Sequence, residues 1–206
     1  MFALVESGSI TKLLNGTTGI TIDGVQHPKA IFTLWSEAER NAINIYTIEM
    51  DTSKRKDEEW YINTNVTYSF DGSKVTGSYG DATARAHADT KWTQSEIDAG
   101  KGPEGADTNT VKEEVLKTVL IRQVKQQTEG ELNKTDWYIT RKAEKDTAIP
   151  SAVSTHRDAV RSKQAEMETA ITNASDTPAL ETLYTYTTQE DGSTTRPLGE
   201  LPTKDF

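Results

Sequence analysis

The spacing of apolar residues changes its period part-way along this chain. Up to about residue 92, apolar residues recur at every second position and turn residues break the pattern, which is typical of β-strands. From Thr108 onward they recur every three or four positions, as they do on one face of an α-helix. Between the two patterns, the segment from Asp98 to Gly105 is rich in Gly and contains a Pro. Such a change of period predicts two regions of different structural class.

We therefore predict an α+β fold, with an N-terminal antiparallel β domain followed by a C-terminal helical hairpin. The predicted divisions are a β-rich domain over 1–92, a Gly-rich linker over 93–107, a helical domain over 108–187 and an extended C-terminal arm over 188–206. The arm is polar and contains Gly and Pro, so we expect it to become ordered only where something holds it.

The clearest strand pattern ends at Phe70 and is followed by Asp71-Gly72. This dipeptide favours a two-residue type I′ turn, which would place Tyr68 opposite Val75 on the returning strand. The turn therefore predicts both the hairpin and its register.

Other elements of the β-rich domain are predicted from shorter patterns. A hairpin is expected from residues 2–5 and 10–14, a helical turn from 36–41 and a further strand from 43–50. Isolated hairpins are marginal in water, so we expect these strands to share one sheet of about four to six members.

Two amphipathic helices are predicted in the helical domain. The first would begin near Thr108 and end at Gly130, and the second would begin at Pro150, whose fixed φ suits a first helical position. A shorter helix is expected over 177–184. The apolar stripes of the two long helices predict the following helical core: Val111, Val115, Val119, Val153, Val160 and Met167.

Composition argues against several classes of function. The net charge is −9 and the densest basic run, residues 141–145, is interrupted by an acid, so we expect no nucleic-acid binding. The chain lacks Cys and its three His are far apart, so no metal site is predicted. No apolar run approaches the roughly 20 residues of a membrane span. No nucleophile or acid–base pattern stands out, and we expect a non-enzymatic protein without catalytic residues or a cofactor.

Four Trp residues leave open a carbohydrate-recognising function, because sugars stack on aromatic faces. Scattered Trp residues more often belong to a core, and Trp60 falls on the buried side of its predicted strand. Trp92 and Trp137 lie near predicted loops and keep this alternative open.

Two segments of the second half carry a recognisable pattern. The first is Thr135-Asp136-Trp137, and the second is Ser154-Thr155-His156-Arg157-Asp158-Ala159-Val160-Arg161-Ser162-Lys163. Together with the opening Met1-Phe2-Ala3-Leu4-Val5-Glu6, they resemble bacteriophage tail-fibre assembly or tail assembly chaperone proteins. The resemblance covers about a third of the chain. Two departures are His156, where an aromatic residue is usual, and a longer, more charged linker over 138–149.

The resemblance implies a structural or assembly component of a phage tail or tail fibre. Its implied partners are other tail or fibre proteins, in a multi-copy assembly formed in the host cytoplasm and, for a resident component, retained in the virion tail. The residues that it implies for partner contact are Trp137, His156, Arg157 and Arg161. The alternative is a receptor-binding module of a phage tail that recognises carbohydrate through its β domain.

Overall fold

A computed structural model describes all residues from Met1 to Phe206. The chain forms two compact units, Met1–Thr83 and Ala84–Phe206. Strands dominate the first unit and helices dominate the second, so the predicted α+β class is confirmed. The units divide between Thr83 and Ala84, earlier than the predicted end of the β-rich domain at residue 92.

The first unit is built on a five-stranded sheet. Its elements are β1 (Phe2–Glu6), β2 (Ser9–Leu14), β3 (Ile20–Ile22), β4 (Val25–His27), α1 (Ile31–Leu34), α2 (Glu37–Asn41), β5 (Ile45–Asp51), β6 (Tyr61–Ile62), β7 (Thr67–Phe70) and β8 (Val75–Ser78), and β9 (Thr83–Ala84) lies at the boundary. The strand order in the main sheet is β2-β1-β5-β8-β7. Strands β5 and β8 pair in parallel and the other pairs are antiparallel, so the sheet is mixed and not antiparallel throughout as predicted.

Strand β1, near the middle of the sheet, is buried on both faces, because its neighbouring residues belong to different apolar clusters. Leu4 packs with Leu14 and Ile45, and the same cluster includes Ile31 and Phe32 of α1. On β1, Ala3 and Val5 pack instead with Ile48 and Val75. The predicted β1–β2 hairpin is confirmed. The predicted helical turn is also confirmed as α2, which starts with a capping box between Ser36 and Glu39.

The register of the β7–β8 hairpin differs from the predicted one. Phe70 pairs with Val75, and Tyr68 pairs with Gly77 instead of Val75. The cause lies in Asp71, whose Oδ1 accepts hydrogen bonds from the backbone N–H groups of Ser73 and Lys74, each at 2.9 Å. These bonds lengthen the loop to residues 71–74, so the strands pair two positions further on than a two-residue turn would allow.

The second unit combines four longer helices with short strands. Its elements are β10 (Thr90–Lys91), α3 (Gln94–Asp98), β11 (Val111–Glu113), α4 (Leu116–Asn133), α5 (Asp136–Lys145), α6 (Ser151–Asn173), α7 (Thr177–Tyr184), β12 (Thr187–Thr188) and β13 (Thr194–Thr195). The predicted linker over 93–107 belongs to this unit. It contains α3, which begins with a capping box formed by Thr93 and Glu96. Glu96 also binds the ammonium of Lys112, in β11, at 2.5 Å. These local bonds explain why the Gly-rich segment is folded.

The first long helix begins at Leu116 and not near Thr108. Asp89, which precedes β10, accepts hydrogen bonds from the backbone N–H of Val115 at 2.8 Å and from the Thr118 hydroxyl at 2.5 Å. A cap supplied by so distant a residue leaves no local signal in the sequence. Val111 consequently lies in β11, opposite Lys91, and Val115 is the residue before the helix.

The helical core follows a different stripe of α4 from the predicted one. Val111 and Val119 are 42% and 38% exposed, so neither belongs to a buried core. The buried residues of α4 are instead Leu120, Val124, Thr128 and Glu131. They face α6, on which Val153, Val160, Met167 and Ile171 are buried. Helix α4 also continues past Gly130, the predicted exit, to Asn133.

The segment 138–149, predicted as a linker, is mostly helical. Helix α5 has Asp136 in its first turn and Lys142 and Lys145 in its last turn, and these charges complement the helix dipole. It ends at Asp146, which adopts a left-handed backbone with φ of 54°. The predicted two-helix hairpin is therefore interrupted by a third helix between α4 and α6.

The C-terminal arm is held by its own unit. Leu198 is buried, and its backbone N–H donates to the carbonyl of Leu183 in α7 at 3.0 Å. The Arg196 guanidinium lies 5.1 Å from the ring centre of Tyr184 and 5.2 Å from that of Tyr186. The expectation that the arm needs something to hold it is met by these contacts within the chain.

The two valines Val160 and Val111 provide a direct test of this corrected core. We expect Val160→Asp to lower the free energy of unfolding by about 3 to 5 kcal/mol, because it buries an unpaired carboxylate between α4 and α6. Val111→Asp should cost less than about 1 kcal/mol, since Val111 is partly exposed on a short strand. Urea denaturation followed by circular dichroism at the helical minimum measures both. Equal losses for the two variants would contradict the assignment.

Candidate partner-binding site

The four residues predicted for partner contact fall into two groups. Trp137 on α5 and Arg161 on α6 have exposed side chains, whereas His156 and Arg157 of α6 are buried. Exposed and buried residues cannot share the same role, so each group is described separately.

Arg157 joins three elements of the second unit. Its Nη1 lies 2.8 Å from the carbonyl oxygen of Leu132, 2.8 Å from the hydroxyl of Thr135 and 2.7 Å from Oδ1 of Asp136. These three oxygens belong to the last turn of α4, the joint and the first turn of α5, while Arg157 itself belongs to α6. The guanidinium therefore fixes where α5 begins and how it leaves α4.

His156 forms a buried pair with Glu131 of α4. The His156 Nε2 lies 3.0 Å from Glu131 Oε1, and both residues are less than one tenth exposed. The second oxygen of Glu131 binds the Lys134 ammonium at 2.5 Å, and its first oxygen also accepts from the backbone N–H of Lys204 at 3.2 Å. The Lys134 ammonium, followed by the Lys204 N–H and His156, lowers the pKa of Glu131 despite the opposing effect of burial.

The exposed Trp137 lies on a face of α5 that it shares with other large side chains. The Arg141 guanidinium lies 4.6 Å from the ring centre of Trp137 and 5.2 Å from that of Tyr138. We name these three residues the aromatic platform. Trp137 is 51% exposed, and the neighbouring Ile139 is 41% exposed. Cation–π contacts of this kind hold a large ring in place while its outer face stays open to a partner.

The charge around the aromatic platform differs from that of the whole chain. Residues 134–145 contain four basic side chains and two acidic ones, which is a net charge of +2 in a chain of −9. Arg161 is also exposed and pairs with Asp158 at 3.4 Å, a surface contact that contributes little to stability.

Sequence reasoning missed Tyr138, Ile139 and Arg141 because the segment that carries them was predicted as a linker. The spacing of Trp137 and Arg141, four residues apart, was the signal available for a shared helical face. Glu131 was also missed. Nothing in the sequence marks which acidic residue meets His156.

The other Trp residues are engaged within their own units. Trp60 is buried, and Trp35 packs against the core around Ile31. Trp92 lies beneath the Lys112 ammonium, 5.0 Å from its ring centre. Trp137 is thus the Trp that offers the most open ring.

A surface cavity of about 310 Å³ lies in the first unit, with Lys12 as its only charged side chain; it is lined by Met1, Lys12, Leu13, Leu14, Asn15, Gly16, Thr18, Gly19, Ile20, Phe32 and Tyr68. No three His, Asp or Glu side chains are grouped so that they could hold a metal ion. None of the helices combines the length and hydrophobicity needed to cross a membrane.

Comparison of the chain with protein-family models, with curated proteins and with solved structures gave no match.

Arg157 and Arg161, one helical turn apart, allow a matched test of the anchor at the α4–α5 joint. We expect Arg157→Ala to lower the free energy of unfolding by about 2 to 4 kcal/mol, because it leaves buried oxygens without their charged donor. Arg161→Ala should change it by less than about 0.5 kcal/mol. Chemical denaturation of both variants gives these values. If Arg157→Ala left the free energy of unfolding unchanged, the guanidinium would not be what holds the joint.

The lowered pKa of Glu131 predicts a loss of stability in acid. A depressed folded-state pKa stabilises the fold above the ordinary pKa of about 4.3, and this contribution is lost as pH falls through the folded-state pKa. Wild type should therefore be more stable than Glu131→Gln near neutral pH, and the difference should shrink below about pH 4. Urea denaturation between pH 3 and 7 measures it. A difference that does not change with pH would exclude a role for the carboxylate charge.

Proposed function

We propose that the protein is a non-enzymatic bacteriophage tail component, similar to fibre assembly proteins, that binds another tail or fibre protein through the aromatic platform. The observation that carries the proposal is the half-exposed Trp137 ring, held by Arg141 on a helix that Arg157 fixes in place. The motif containing Thr135, Asp136 and Trp137 is also the part of the chain that resembles the phage proteins.

Energetic reasoning supports protein binding at this surface. Trp, Tyr and Arg are the residue types most enriched among those that dominate interface energies. All three occur in the aromatic platform, and stacking on Arg141 limits the freedom that the rings would lose on binding.

The proposal assigns different roles to the four residues that the resemblance implied. Trp137 contacts the partner and Arg161 adds a charge at the rim. Arg157 and His156 are positioning residues, because they are buried and bind Asp136 and Glu131 of their own unit. Substituting Arg157 would weaken partner binding through the orientation of α5, whereas His156 contacts α4.

Carbohydrate recognition is the second candidate, since an open Trp ring is also a surface on which sugars stack. In this structure the open ring belongs to α5 of the helical unit, whereas Trp35 and Trp60 of the sheet unit are packed inward. A carbohydrate site would accordingly centre on Trp137 and not on the β domain.

The test uses the full chain and the fibre protein encoded by the same genome. Trp137→Ala should weaken their binding by at least about 30-fold, since truncation of such a residue costs about 2 kcal/mol or more. Tyr186→Ala removes an equally exposed aromatic ring from the segment between α7 and the arm and should leave affinity within about threefold. Isothermal titration calorimetry gives both affinities.

Two outcomes would contradict the proposal. The first is an affinity for the fibre protein that Trp137→Ala leaves unchanged. The second is saturable binding of host polysaccharide that Trp137→Ala abolishes, without any binding of the fibre protein, which would favour the carbohydrate reading.

A further inference from the structure

The end of the arm lies across the buried pair of Glu131 and His156. The backbone N–H of Lys204 donates to Glu131 Oε1 at 3.2 Å, and the ring of Phe206 lies 5.2 Å from the His156 ring, tilted by 58°. The Lys204 side chain lies on the same side of the segment as Phe206, with its ammonium 5.0 Å from the centre of that ring. We name Glu131 and His156 the groove, and residues 204–206 the resident segment.

The groove is buried and lies on two helices, whereas the resident segment is exposed. Glu131 is 6% exposed and His156 is 8% exposed, and each is fixed on a long helix. The resident segment, in contrast, is exposed along its length, and Phe206 is 48% exposed. A preformed polar site therefore holds a ligand that could leave without unfolding a helix.

The arm provides a hinge for such a departure. Its last deeply buried residue is Leu198, and the residue after it, Gly199, has a φ of +71° that favours Gly. No helix or strand follows. Glu200 is still tied to Arg196 at 2.8 Å and to the Tyr186 hydroxyl at 2.5 Å, so the part that can swing out is residues 201–206. When extended, these residues span about 20 Å at roughly 3.3 Å per residue, which is enough to reach a neighbouring molecule while Leu198 stays in place.

We propose that the groove is a peptide-binding site and that the resident segment of a second copy of this chain can occupy it. The ligand it accepts is an extended segment with a backbone N–H facing Glu131 and an aromatic ring two residues later facing His156. A second copy carries this segment by identity, and the contact within one chain shows that groove and segment are complementary. Exchange of an identical segment between copies requires only that the hinge opens.

This inference goes beyond the proposed function and does not depend on it. The groove uses Glu131 and His156 and none of the aromatic platform, so the two sites can be tested separately. It would supply a contact between copies of the chain, whereas the aromatic platform would contact a different protein.

The experiment observes His156 by NMR in the full-length Phe206→Ala variant, whose resident segment lacks its ring. The probe is an amidated peptide with the sequence of residues 198–206, and a matched control peptide carries Ala in place of Phe206. The imidazole signals of His156 are assigned from their loss in His156→Leu, and those of His27 and His87 serve as internal references.

We expect the probe to shift the His156 signals while the control peptide leaves them in place. Phe206→Ala should bind the probe at least about 10-fold more tightly than wild type, because the intact resident segment competes at an effective concentration on the order of millimolar. Unlabelled full-length His156→Leu chain, which keeps its own segment but lacks the groove, should produce the same shifts when added to labelled Phe206→Ala chain.

Unmoved His156 signals, or equal shifts from probe and control peptide, would overturn the groove as a peptide site. Shifts from the probe without shifts from the full-length donor would overturn the second copy as its occupant.

Discussion

The guanidinium of Arg157 is the interaction on which the helical unit depends. It brings α6 within hydrogen-bond distance of the end of α4 and the start of α5, so three helices meet at one charged side chain. Asp136 is bound there, and the next residue is the exposed Trp137. Because the anchor immediately precedes the aromatic platform in the chain, the direction in which Trp137 faces follows from a buried contact. Helices α4 and α6 also carry Glu131 and His156, so both proposed surfaces depend on the packing of the same helices.

Local patterns predicted the parts of this fold that local chemistry controls. The β1–β2 hairpin, the helical turn of α2 and the helix from Thr177 to Tyr184 lie where the sequence indicated. The predictions were wrong where a residue far away in the sequence determines the local structure. Asp89 caps α4 from across β10 and β11, which moves the helix start to Leu116 and leaves Val111 in a strand. No pattern within a short window contains that information. The predicted β7–β8 register was wrong for a local reason. The Asp71 side chain stabilises a longer loop than the two-residue turn expected from Asp71-Gly72.

The candidate site was predicted in part. The resemblance pointed to the region around Trp137 and to the Arg-containing face of α6, and both meet at the α4–α5 joint. Their roles could not be predicted, because periodicity places His156 and Arg157 on a helix without saying what they face. In the structure His156 and Arg157 are buried, whereas Trp137 is exposed. The arm illustrates the same limit: its polar composition indicates weak order, while Leu198 and Arg196 attach it to α7 and the residues beside it.

The parallel pairing of β5 with β8 has a consequence for the order of assembly. Strands β2, β1 and β5 can associate through antiparallel contacts as soon as Asp51 has been synthesised, but the outer edge of β5 then remains unpaired. It stays so until β8, which follows later in the chain, pairs with it in parallel. Such a late, non-local closure slows folding and leaves an open strand edge in the nascent chain, which is where association between unfinished molecules would begin.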